Sequence, residues 1–179
     1  MNFNIYIFNL LHNLAGKWWP LDWFFIFFGS YVGYILVILA VVLIIKLSTS
    51  KQRLFFFLFI ILSLLLSRGV IGESFKRLYP VDRPFVTYHF TPLISESLHD
   101  SFPSGHALLY FALATCIFFM NKKAGWWAFG IAVVMGIGRV FVGVHYPVDV
   151  LVGAVLGIGS TFVVARLLEV PHRPQMVIQ

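Results

Sequence analysis

The sequence is short of charge. Only 11% of its 179 residues are charged, and acids are the scarcer kind, seven against thirteen Lys and Arg. A soluble domain carries about 25% charged residues, so a water-facing surface is hard to assemble from these side chains. Cysteine is nearly absent. The single Cys116 excludes an intrachain disulfide and, set in an apolar run, reads as core filler. No internal repeat and no low-complexity tract stands out. What fills the chain instead is 60% hydrophobic residues, 18% aromatic. The bilayer is the natural solvent for such a composition, and residues 1–179 read as one compact, all-α, polytopic membrane domain. A formal net charge of +6 would suggest nucleic acid in a soluble chain. Here the basic residues stand at the ends of apolar runs, so the charge reports topology and no nucleic acid is expected.

Residues 2–15 are too short and too interrupted to span. Phe3, Ile7, Leu10, Leu11 and Leu14 share one helical face and Asn2, Asn9, His12 and Asn13 the other. This predicts an amphipathic helix lying in the interface. A signal peptide does not fit: no basic residue precedes the apolar part and no small-residue cleavage pattern follows. Lys17, Trp18, Trp19 and Pro20 form an interfacial anchor and turn. Five spanning helices follow by pattern. The first runs from Leu21 to Ile45. The second starts at Leu54 and turns polar at Ser67, Arg68, Glu73 and Lys76. The others are Ser104 to Met120, Gly125 to Val142 and Pro147 to Leu168. A span that turns polar towards one end lines a cavity there. Gly143 is an αL stop, and Gly153 and Gly157 form a packing stripe. Residues 80–103, with four prolines, make the longest connection, and such loops are usually functional.

Five spans put the termini on opposite sides. One side then holds Lys46, Lys51, Arg53, Lys122, Lys123, Arg166 and Arg173 against Glu169 alone. The other holds Lys17, Arg68, Lys76, Arg77, Arg83 and Arg139 against six acids. The positive-inside rule places the second side, with the 72–103 and 143–147 segments, outside the cytoplasm.

Three clusters fall on that side. Lys76 and Arg83-Pro84 join a point charge to a planar fork, which suits phosphate oxygens; the alternative for Lys76 is snorkelling. Pro103-Ser104-Gly105-His106 opens a helix whose free N–H groups and dipole attract an anion. There Ser104 can cap, Gly105 admits a ligand close to the backbone, and His106 can exchange a proton. The alternative is a capping serine and an incidental histidine. Arg139, His145 and Asp149 form the third. With Pro147 at the first helical position, Asp149 can reach back to the His145 ring, leaving the other nitrogen free to attack. A dipole partner is the plain alternative for Asp149. A metal would need third and fourth ligands that the spacing does not supply, so no metal and no cofactor is expected.

In this order the clusters resemble the type 2 phosphatidic acid phosphatase superfamily. Its first motif, Lys, six residues, Arg-Pro, is matched at Lys76, Arg83 and Pro84. Its second, Pro-Ser-Gly-His, is matched at Pro103 to His106. Its third, Ser-Arg, five residues, His, three residues, Asp, is matched at Arg139, His145 and Asp149, with Gly138 where the family has Ser. The resemblance covers residues 76–149. It implies an all-α membrane phosphatase in which His145 forms a phosphohistidine, Asp149 orients it, and His106 protonates the leaving oxygen and then activates water. Lys76, Arg83, Arg139 and the amides around Ser104 and Gly105 would hold the phosphoryl group. The departure at Gly138 removes one hydroxyl from that cradle. Small size, the minimal N-terminal helix, Arg83-Pro84-Phe85 and Asp100-Ser101-Phe102 are most similar to bacterial undecaprenyl-diphosphatases. The implied partner is a lipid phosphate whose tail stays in the bilayer of a bacterial plasma membrane. Phosphatidylglycerophosphate or phosphatidic acid is the alternative substrate. A lipid phosphotransferase, a non-enzymatic transporter or scaffold, and a haloperoxidase are the rival classes. Glu73 is expected to pair with Arg77, while Arg68 lines the cavity or satisfies an acid. His89, Glu96 and His99 are expected to be solvated loop residues.

Overall fold

The computed structural model describes residues 3–171. Every regular element in them is helical: α1 Phe3–His12, α2 Trp19–Ser30, α3 Gly33–Ile45, α4 Ser50–Leu64, a π-helical segment Leu65–Gly72, α5 Glu73–Leu78, α6 Pro84–Thr87, α7 Gly105–Met120, α8 Lys122–Phe141 and α9 Pro147–Leu167. Asn2 and Arg173 lie outside the described residues.

Among the described residues three continuous helices are long and apolar enough to cross a bilayer: Ser50–Leu78, Lys122–Phe141 and Pro147–Leu167. The predicted first span, one helix from Leu21 to Ile45, is instead the pair α2 and α3, bent by 45°. A distant contact packs against the bend. The Tyr110 ring occupies the space beside Gly33, where an added Cβ would lie 1.9 Å from it. The sequence carries a local sign as well, since Gly29-Ser30 and Gly33 interrupt the apolar run at the bend, and a Gly/Ser pair is a common place for a helix to kink. The third predicted span, α7, has 16 residues, or about 24 Å at the α-helical rise, against about 30 Å of hydrocarbon.

Helix α7 is the axis of the bundle and is almost wholly buried. It runs parallel to α9. Added Cβ atoms on Gly153 and Gly157 would lie 2.8 Å from the Ser104 carbonyl and 2.5 Å from the Leu108 carbonyl, and Thr161 Oγ1 donates to the Ala112 carbonyl at 3.3 Å. Each step of four residues on α9 meets a step of four on α7, so two backbones close along a stripe with no room for larger side chains. Parallel neighbours need an antiparallel return, which α8 supplies. The connection to it is a single residue. The Asn121 side chain accepts from the Ala124 amide at 2.9 Å and caps α8. Lys122 and Lys123 are therefore in the first turn of α8, which starts three residues before the predicted Gly125.

Helix α1 also differs from expectation. Phe3, Leu10 and Leu14 are exposed, as an interfacial face should be, but His12 points inwards. Its ring stacks on the buried Phe8 and packs on Phe90, and its Nδ1 donates to the Phe141 carbonyl at 2.9 Å. Asn4 Oδ1 accepts from the Val148 amide at 3.0 Å. The helix thus braces the 142–148 segment as well as meeting the interface.

Candidate active site

The loop between α8 and α9 is built for one conformation. Gly143 takes φ +87°, a left-handed turn that glycine adopts without strain, and an added Cβ would lie 2.6 Å from the Phe90 ring. Pro147 begins α9, and Asp149 two residues on accepts from the Tyr146 amide at 2.9 Å through Oδ2. The same oxygen accepts from Ser101 Oγ at 2.6 Å. His145 Nδ1 lies 3.6 Å from it, closer to an ion-pair contact than to a hydrogen bond.

The other ring nitrogen settles the tautomer. Arg83 Nη1 lies 3.3 Å from His145 Nε2. A guanidinium only donates, so Nε2 accepts and the ring proton belongs on Nδ1, the atom facing Asp149. That leaves the lone pair on Nε2, towards the cavity. His145 is buried. Burial first, and then the Arg139 and Arg83 charges, hold its basicity well below the usual histidine range, so the ring stays neutral near pH 7.

Arg83 is held from four sides. Besides His145 it donates to the carbonyls of Val144 at 3.1 Å and His99 at 3.3 Å, and to Ser97 Oγ at 3.3 Å. Its Nη2 lies 3.4 Å from Glu96 Oε2, while Glu96 Oε1 pairs with Arg139. Arg139 also donates to the Gly29 carbonyl at 3.4 Å. Burial pushes the Glu96 carboxyl up, but Arg139 and Arg83 outweigh it and hold it below the usual range. An ionised carboxylate therefore occupies two guanidiniums that face the cavity region.

Ser104 caps α7 through its hydroxyl to the Ala107 amide at 3.5 Å, and its own amide donates to the Asp149 carbonyl at 3.0 Å. It is fully buried. Its hydroxyl and amide are engaged within the protein, and of the expected pair Ser104 and Gly105 it is Gly105 that lines the cavity. The π-helical segment brings in more charge. Ser67 Oγ donates to the Leu108 carbonyl at 3.0 Å, which ties this wider turn to α7. Arg68 then lies over Gly105, where an added Cβ would be 2.6 Å from its Nε. Arg68 pairs with Glu73; the predicted Glu73–Arg77 pair is not formed.

A cavity of about 230 Å³ gathers Lys76, Arg83, Gly105, His106 and His145, together with Arg68 and Glu96. Arg139 borders the adjoining cavity with His106 and Glu96. Asp149 stands behind His145 and Ser104 behind Gly105. The three sequence clusters are therefore brought together. Among the described residues no group of three or more His, Cys, Asp or Glu is placed to hold a metal. Two groups carry more than the sequence suggested. Ser101 reaches Asp149, and its only signal was the Asp100-Ser101-Phe102 segment. Glu96 bridges the arginines, and nothing in its local sequence marks it.

Gly138 has a structural reason. An added Cβ there would lie 3.1 Å from both the Gly29 amide and the Phe25 carbonyl. Glycine at this place lets α2 close on α8, and that contact carries the Gly29 carbonyl to Arg139.

The family model of the PAP2 superfamily matches residues 54–172. The chain is 32% identical to the Bacitracin transport permease protein BcrC of Bacillus licheniformis, over 90% of this chain and 78% of that one. It is 32% identical to Undecaprenyl-diphosphatase BcrC of Bacillus subtilis, over 93% and 84% of the two chains. The fold matches the crystal structure of Aquifex aeolicus LpxE with a TM-score of 0.75 and 28% identity, over 93% of this chain and 96% of that one. It also matches a PAP2 type phosphatidylglycerolphosphate phosphatase from Bacillus subtilis, with a TM-score of 0.62 and 25% identity, over 94% and 88% of the chains. With its motifs meeting at one end of a multi-pass helix bundle, the chain belongs to the PAP2 superfamily and is a membrane lipid phosphatase.

Proposed function

We propose that this single domain hydrolyses undecaprenyl diphosphate to undecaprenyl phosphate and inorganic phosphate. The observation that carries the chemistry is His145 Nε2, unprotonated and facing a cationic cavity that also contains His106. The relative from Bacillus subtilis named an undecaprenyl-diphosphatase supports the substrate.

The reaction runs in two displacements. The charge of a bound diphosphate brings a proton onto His106 and draws the Arg83 guanidinium from Nε2 to the phosphate oxygens. Nε2 then attacks the terminal phosphorus in line, the bond to the lipid-phosphate oxygen breaks, and His106 gives that oxygen its proton. Asp149, with Ser101 holding its carboxylate, stabilises the charge that His145 acquires and keeps its proton on Nδ1. His106, now neutral, takes a proton from water as the water attacks the phosphohistidine. Phosphate leaves and both rings return to their first state. Lys76, Arg83 and the Gly105 backbone stabilise the equatorial oxygens, and Arg139 stands on the side of the leaving phosphate. Those cations do the electrostatic work often given to a metal. The excess of Lys and Arg on the opposite end supports a site outside the cytoplasm of a bacterial plasma membrane.

Phosphate release by the purified protein tests this, with undecaprenyl diphosphate, phosphatidylglycerophosphate and phosphatidic acid compared in chelator. Undecaprenyl diphosphate should have the largest kcat/KM, and chelator should not lower it. A larger value for either glycerolipid would displace the proposed substrate. Loss of turnover restored only by a divalent ion would overturn the mechanism.

A further inference from the structure

Two cavities meet at this site. The first, about 230 Å³, contains His145, Lys76 and Arg83. The second, about 450 Å³, contains Arg139, Ser30 and Tyr31 with apolar walls from Ile26, Leu93 and Ile94. Among the described residues only Glu96 and His106 line both.

We infer that the second cavity is the leaving-group chamber, which takes the lipid-phosphate half of a prenyl diphosphate, and that Glu96 is its displaceable stopper. This rests on the reaction proposed above. In-line displacement puts the nucleophile and the leaving oxygen on opposite sides of phosphorus. The nucleophile His145 lines only the first cavity. The proton donor His106 lines both, so the oxygen it protonates departs past His106 into the second. The walls there suit what departs. Arg139 and the hydroxyls of Ser30 and Tyr31 offer donors to a phosphate, and Ile26, Leu93 and Ile94 offer an apolar path for the first prenyl units. The chamber ends at the 45° bend between α2 and α3, where Tyr31 is 56% exposed. There a chain can pass sideways into lipid.

Glu96 stands in the way. Its carboxylate joins Arg83 at the first cavity to Arg139 at the second. An entering diphosphate brings its own oxygens to those guanidiniums, so Glu96 has to release both. In the empty site the carboxylate stands in for the phosphate it will yield to, and satisfies two buried cations that would otherwise face each other across the cavity.

The test uses the full-length protein in detergent, with undecaprenyl diphosphate as substrate and orthovanadate as a small anion that needs only the first cavity. Ser30→Phe and Ile94→Phe fill the second cavity from opposite walls. Each should lower kcat/KM about ten-fold or more and leave vanadate inhibition unchanged. Glu96→Gln should tighten vanadate inhibition about five-fold, because the binding-competent state no longer competes with an internal anion. Full turnover in both Phe variants overturns the chamber, as does a loss of vanadate inhibition in step with turnover. Weaker vanadate inhibition in Glu96→Gln overturns the stopper and makes Glu96 a positioning residue for the arginines. Failure of the unaltered protein to turn over undecaprenyl diphosphate overturns the proposed substrate instead, a result separate from all of these.

Discussion

The two ends of the bundle solve opposite problems. At the end away from the site, connections are short: residues 46–49 between α3 and α4, and Asn121 alone between α7 and α8. Thr49 and Gln52 cap α4 reciprocally at 3.2 and 3.4 Å, and Leu36, Leu47, Phe56, Phe59, Ile117, Phe119 and Val164 form one apolar cluster. At the site end the connections are long, and Arg83, Arg139, His145, Asp149, Ser101 and Ser104 are all buried. Taking an ion out of water costs several kcal/mol even after relaxation. The apolar end offsets that cost and the polar end uses it. Stability and chemistry are thus separable along the bundle axis, and substitutions at each end should report on one and not the other.

The largest effect expected is at the polar end. His145→Ala should lower phosphate release by about a thousand-fold or more, since it removes the attacking nitrogen of the proposed mechanism. Its melting temperature in detergent should hold or rise, because a buried polar ring is removed from beside two arginines. Substantial turnover in this variant would remove the nucleophile from the mechanism. A collapse of the fold would break the separation of the two ends.

The matching change at the apolar end is Phe59→Ala. Phe59 is fully buried against Phe56 and Phe119. Its removal should cost about 3–5 kcal/mol of stability, read as a lower melting temperature. kcat measured well below that temperature should not change. A fall in kcat in step with stability would show that the two ends are coupled.

Acid should act through the site end. The depressed basicity of His145 means that the unfolded state binds its proton first, at an ordinary value of about 6.5. Stability from this group is present above that pH and falls as pH drops towards the lower folded value. The melting temperature should therefore fall more between pH 7 and pH 5 in the unaltered protein than in His145→Ala. Equal slopes would mean that His145 titrates normally in the fold. The neutral ring also persists below 6.5, so loss of the nucleophile by protonation should not set the acid limb of kcat/KM.

Much of this was legible in the sequence, and what was not has a common cause. The three clusters could be read because each is local: Pro103 to His106 is one helix start, and Arg139 to Asp149 is one turn. The change of character at Ser67 marked the π-helical segment, though not its winding. The bend before Gly33 has a local sign in Gly29-Ser30, but the Tyr110 ring that packs against it is 77 residues away in sequence. The inward turn of His12 depends on Phe90 and the Phe141 carbonyl, both far along the chain. Glu96 looked like an ordinary loop acid because its partners are Arg83 and Arg139. Only the fold of the 88–104 connection across the site brings those charges together.

The smallest effect tests the contact where that fold departs from the motif. Gly138 holds α2 against α8 at a distance that a side chain would exceed by a few tenths of an ångström. Gly138→Ala and Gly138→Ser both add the Cβ, and each should cost about 1 kcal/mol while loosening the hold of the Gly29 carbonyl on Arg139. The two differ only in a hydroxyl. If packing alone selects glycine, they should lose stability and kcat/KM equally. If a hydroxyl at this place can also reach a phosphoryl oxygen, Ser should recover kcat/KM over Ala at the same melting temperature. The glycine would then mark a site that gave up one donor for a closer helix pair.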